Sequence, residues 1–133
     1  MLGCSGTRPP DLGLQGGRLR PCPATPNCVS SEAGTAADQR VAPFPAPRGA
    51  ADMVRLAAVV GAWPRTTVVT DDGTYLHAES TTLLMRFVDD VEFRFDPKES
   101  VIHVRSGSRL GKSDLDVNRK RVEGLRAQWA AQP

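Results

Sequence analysis

Hydrophobic side chains recur along this chain with two different periods. Between residues 51 and 63 they fall at Met53, Leu56, Val60 and Trp63, with Ala57 beside them. Spacings of three and four place these residues on one helical face, and Pro64 stops the helix. From residue 66 the period drops to two. "TTVVT" (66–70) and "TYLHAE" (74–79) flank Asp71-Asp72-Gly73, a hairpin-type turn. "LLMRFVDDVEFRF" (83–95) alternates over a long run, and "VIHVRS" (101–106) follows a turn at 96–99. "QRVAPF" (39–44) reads as a further short strand. A last helix is expected from Ser113 or Asp114, where Ser113 and Asp116 make a weak capping box. Leu115, Val122, Leu125 and Trp129 form its apolar stripe.

This order predicts an α+β fold: an antiparallel sheet of four to five strands, two helices on one face, and a Cys-containing N-terminal loop. Residues 1–40 show neither period, and most of the prolines precede residue 50. Residues 1–20 are therefore read as a flexible tether. Residues 21–133 are read as a single α+β domain, with its packed part at 40–131.

Charge removes one class of partner. Seventeen basic residues face fifteen acidic ones, a net charge of +2, so no nucleic-acid partner is expected. No apolar run reaches the length of a membrane span. "MLGCSG", however, is similar to the end of a bacterial lipoprotein signal, with small residues ahead of a cysteine that takes a lipid. On that reading Cys4 anchors the protein to the periplasmic face of an envelope membrane. If the N-terminus is complete as given, the protein is cytoplasmic. "CPATPNC" (22–28) holds Cys22 and Cys28 in a loop stiffened by Pro23 and Pro26. A disulfide is the default in an exported protein; free thiols and a zinc pair are the alternatives. His77 and His103 fall in different strands, so neither a metal nor a cofactor is expected.

Ser106 to Ser113 reads S-G-S-R-L-G-K-S, one glycine short of a phosphate-binding loop. Ser106 stands where that glycine should be, the preceding strands are hairpins, and no later strand exists to carry a magnesium-binding Asp. A nucleotide site is excluded on these grounds. A weaker anion site survives, with Arg105, Ser106, Ser108 and Arg109 just ahead of a helix N-terminus. Alternation also turns Asp89 toward the apolar face. A lone buried carboxylate is costly, so Arg105 or Arg109 is the expected partner. A bulge at Asp89-Asp90 is the competing account.

"CPATPNCVSS", "FVDDVEF" and "RSGSRLGKSDLDVNRKRVEGLR" resemble the bacterial and plastid family called domain of unknown function 1499, over about residues 20–130. The resemblance implies that Cys22, Pro23, Pro26, Asn27, Cys28, Ser31, Asp89, Asp90, Arg105, Ser106, Ser108, Arg109, Asp114, Asn118, Arg119 and Arg121 stand at signature positions. Lys112, Asp116 and Gly107 depart from the family pattern. The likeness implies export and membrane anchoring, as for many bacterial members, and supplies no activity.

Three roles follow. The first is a non-enzymatic envelope domain that binds a small anionic ligand or a partner protein. The second is an enzyme using Asp89 or Asp90 as base, with Arg105 and Arg109 on an oxyanion; no nucleophile–base pair stands out to support it. The third is purely structural, with Arg119 and Arg121 holding the helix to the Cys loop. The candidate ligand-binding residues are Asp89, Asp90, Arg105, Ser106, Ser108, Arg109, Asn118, Arg119 and Arg121, and a ligand or enzyme site requires Asp89, Arg105, Arg109 and Asn118 to converge on open space. A structural role requires them to bond one another.

Overall fold

A computed structural model describes residues 7–83, 86–110 and 116–131. It opens with a small hairpin of β1 (Leu14–Gln15) and β2 (Arg18–Leu19). Next come β3 (Cys28–Ser30), a 3-10 turn (Ala37–Gln39), β4 (Phe44–Pro45) and α1 (Ala50–Gly61). The four strands of period two follow as β5 (Thr66–Asp71), β6 (Tyr75–Thr81), β7 (Val88–Asp96) and β8 (Val101–Ser108). The described part of the last helix, α2, spans Val117–Ala130.

The α+β expectation holds, with an antiparallel sheet of six strands rather than four or five. Its order is β3-β8-β7-β6-β5, and β4 pairs with the start of β8. The additional strand, β3, emerges from the Cys loop and pairs with Arg105, Ser106 and Gly107. The strand expected over 39–44 is instead the end of the 3-10 turn, a bridge between Arg40 and Ser30, and the two residues of β4. β7 starts at Val88, later than its hydrophobic pattern suggests. Thr82 and Phe87 close the connection from β6, with the Thr82 N–H donating to the Phe87 carbonyl. Ser113, Asp114, Leu115 and Met85 lie outside the described residues.

Alternation in β6, β7 and β8 divides the sheet cleanly. Leu76, Ala78, Val91, Phe93, Ile102 and Val104 turn to one face, where Met53, Leu56 and Val60 of α1 and Val122, Leu125 and Trp129 of α2 complete one core. Phe44 packs edge-on against Phe93 at 6.0 Å between ring centres. This is the face the sequence assigns to the helices, and both helices lie on it. Gly124 of α2 is required there, because a Cβ at that position would come within 2.6 Å of the Trp63 ring. The β7 register runs unbroken past Asp89 and Asp90 on both sides, from Asp89 opposite Ser80 and Ser108 to Asp90 opposite Glu79 and Gly107. No bulge turns the two acids outward.

Candidate functional site

The unbroken register sends Asp89 and Asp90 to opposite faces, and both are buried. This splits the sequence-selected cluster in two. On the helix side, Arg121 holds Asp89 at 2.7 Å. Ser106 Oγ donates to Asn118 Oδ1 at 2.6 Å, and Arg121 reaches both Asn118 Oδ1 (2.8 Å) and Ser106 Oγ (3.2 Å). Asn118 Nδ2 donates to Ser108 Oγ and to the Asn27 carbonyl. Asp89, Ser106, Ser108, Asn118 and Arg121 thus bond one another and tie β7, β8, α2 and the Cys loop together. Arg119 stands apart, nearer solvent, donating to the carbonyls of Asp38 and Arg40.

Arg105 and Arg109 do not reach Asp89. Arg105 lies on the other face of β8 and Arg109, just past its end, turns to the same side, so the expected pairing of Asp89 with either is corrected to Arg121. For the same reason they do not join Ser106 ahead of the helix. Arg109 grips Asp90 with two hydrogen bonds of 2.9 Å and Glu79 with a third. His77 Nε2 lies 2.8 Å from Asp90 Oδ1. Burial pushes the Asp90 carboxyl up, but hydrogen bonds from Arg109 and His77 outweigh it and hold it below the usual range. Glu79, directly across from Asp90, is also held low: burial opposes this, and Arg8 and Arg109 overcome it. Two facing carboxylates would repel, and Arg109 bridges them. His77, Glu79 and Asp90 have ligand atoms close enough together for a cation. Arg109 and Arg8 already fill that role on the two carboxylates.

Arg105 is a different case. It is 3% exposed, and its nearest carboxylate, Glu92 Oε1, is 4.0 Å away. Nη2 makes a long 3.4 Å contact to the Pro21 carbonyl, and Nε has no hydrogen-bond partner among the described residues. Burial and then the nearby Arg20 guanidinium lower its pKa to about 10. Glu92, fully buried, spends its other oxygen on the Gly13 N–H and the Tyr75 hydroxyl. Burial and then Glu92 push the Tyr75 hydroxyl well above its ordinary value.

Arg105 lines a cleft of about 530 Å³, with Arg20, Asp90, Gly107, Arg109 and the Cys22–Cys28 disulfide among its walls. The bridge closes the six-residue separation within the CPATPNC loop, as expected. Gly107 lets the loop approach closely, since a Cβ there would lie 3.3 Å from both Arg105 Nη1 and Cys28 Sγ. Arg20, Glu79 and Glu92 were not selected from sequence. Period two does place Glu79 and Glu92 on the face of Asp90, but Arg20 sits in irregular chain that gives no periodic signal.

Residues 18–129 match a family described as Protein of unknown function (DUF1499). The chain belongs to that family. The matched region includes both polar clusters, the Cys loop and both helices of this DUF1499 domain, and starts after β1. Neither the curated proteins nor the solved structures contain a match.

Proposed function

We propose that this DUF1499 domain is a non-enzymatic binding module of the cell envelope, and that its cleft takes an anionic group of a ligand or partner. Arg105 carries the reading. A guanidinium buried this deeply is normally matched by a carboxylate or by a full set of acceptors. Among the described residues the nearest carboxylate is 4.0 Å off and Nε has no hydrogen-bond partner, and a second guanidinium, Arg20, adds like charge. Arg presents a planar fork suited to carboxylate or phosphate.

Catalysis is the weaker reading. Of the two bases it could use, Asp89 is paired with Arg121, and Asp90 is held ionised and engaged by Arg109 and His77. The disulfide supports an oxidising compartment, in keeping with export. Cys4, the proposed lipid anchor, lies outside the described residues. No helix among those residues is long and apolar enough to cross a membrane.

The test is titration of the folded protein with acetate and with inorganic phosphate at constant ionic strength, following arginine Nε–H signals by NMR. The Arg105 and Arg20 signals are expected to shift to saturation, and Arg20→Gln to weaken binding about three- to tenfold. Linear, unsaturated shifts with both anions, unchanged in Arg20→Gln, would sink the proposal.

A further inference from the structure

The segment preceding the matched family region lies across the polar face of the sheet. Arg8 Nε donates to Glu79 at 2.6 Å, and the Gly13 N–H donates to Glu92 at 2.9 Å. Pro9, Asp11 and Gln15 line the arginine cleft. Asp11 Oδ1 accepts from Arg20 at 2.8 Å, and its charge also acts on Arg105. The cleft therefore already has a carboxylate at its mouth, supplied by the chain itself.

This segment is lightly attached. β1 pairs only with β2, and the pair forms a sheet separate from the six strands. Arg8, Asp11, Leu14 and Gln15 are exposed. Of the described residues before Arg20, Leu19 alone is a buried apolar side chain. Attachment through exposed charges and single hydrogen bonds gives local opening well below the cost of global unfolding.

Resting on the anion-cleft reading, we propose that residues 8–17 form an autoinhibitory strap that presents Asp11 to the arginine pair in place of the ligand's anionic group. A ligand with a carboxylate or phosphate competes with Asp11, and the strap lifts when it binds. Part of the intrinsic affinity is then spent opening the strap, so removing the internal carboxylate raises the apparent affinity.

Asp11→Asn tests this in the full chain. The side chain is exposed, so the fold is not at risk. Acetate and phosphate are titrated as probes, and amide hydrogen exchange of residues 8–17 is measured with and without them. The variant is expected to bind about three- to tenfold tighter than wild type. In wild type, saturating probe should speed exchange over 8–17 while β7 stays protected. Saturable wild-type binding with an unchanged or weaker Asp11→Asn affinity overturns the strap and leaves the cleft standing. Strap amides that exchange only as slowly as β7 also overturn it. Absence of saturable binding in both proteins removes the cleft itself. Acetate and phosphate together separate a carboxylate ligand from a phosphate one.

Discussion

Asp89 and Asp90 are neighbours in the chain, equally buried, and in opposite circumstances. Asp89 faces the helices at the end of an apolar row. Arg121 reaches it from α2, and the hydroxyl and amide groups around that arginine are occupied by one another. Asp90 faces away from the helices, into a field of alternating charge that includes His77, Glu79, Glu92, Arg105 and Arg109. The first face is closed and fastens elements; the second borders a cleft and contains a buried cation with incomplete pairing. Burial of a polar group is therefore no guide to its role here. What differs is whether a buried charge meets its opposite: Asp89 has Arg121 at 2.7 Å, whereas Arg105 has its nearest carboxylate 4.0 Å away.

The sharpest way to break this contrast is to remove the fastener. Arg121→Ala strips a buried ion pair and two further hydrogen bonds, and should cost about 3–5 kcal/mol in urea denaturation. A loss below about 1 kcal/mol would mean that the helix-side cluster does not hold the fold.

The opposite face should show itself in acid. Glu32 accepts two hydrogen bonds from Arg94 and one from the Leu19 N–H. Burial works against its charge, but these partners hold its carboxyl at about 2, against 4.5 unperturbed. A lowered folded-state pKa stabilises above the unfolded value and is lost as pH falls through the folded one. The contribution should therefore be complete above about pH 4.5 and gone near pH 2, on the order of 3 kcal/mol. Glu32→Gln should destabilise at pH 7 and match wild type at pH 2. An equal deficit at both would rule out the ion pair as the cause.

The smallest effect belongs to Arg8→Ala. Arg8 is itself more than half exposed, so its ion pair is a surface one: the thermal midpoint should not move, while exchange over residues 8–17 quickens. A shift in the midpoint would show that the strap is part of the folding unit.

The sequence carried the face of Asp89, because alternation from 89 to 95 is uninterrupted. It also contained the means to reject Arg105 as its partner. Ile102, Val104 and Ser106 alternate inward, which turns Arg105 and Arg109 outward. Joining the two strands required the register across the 97–100 turn, and only the folded chain supplies that: Asp89 opposite Ser108, Glu92 opposite Arg105. β3 was missed because three residues carry no period. Asp11 and Arg20 were missed because their positions follow from a hairpin of two-residue strands.

The adjacent pair has one more consequence. Each acid matches only the partners on its own side, so sliding β7 by one residue would trade them. Asp89 would then meet Arg109 and His77, and Asp90 would enter the apolar row, with every flanking hydrophobic residue turned the wrong way. Two acids in succession thus make the strand's alignment self-checking: a misthreaded sheet would be penalised on both surfaces at once.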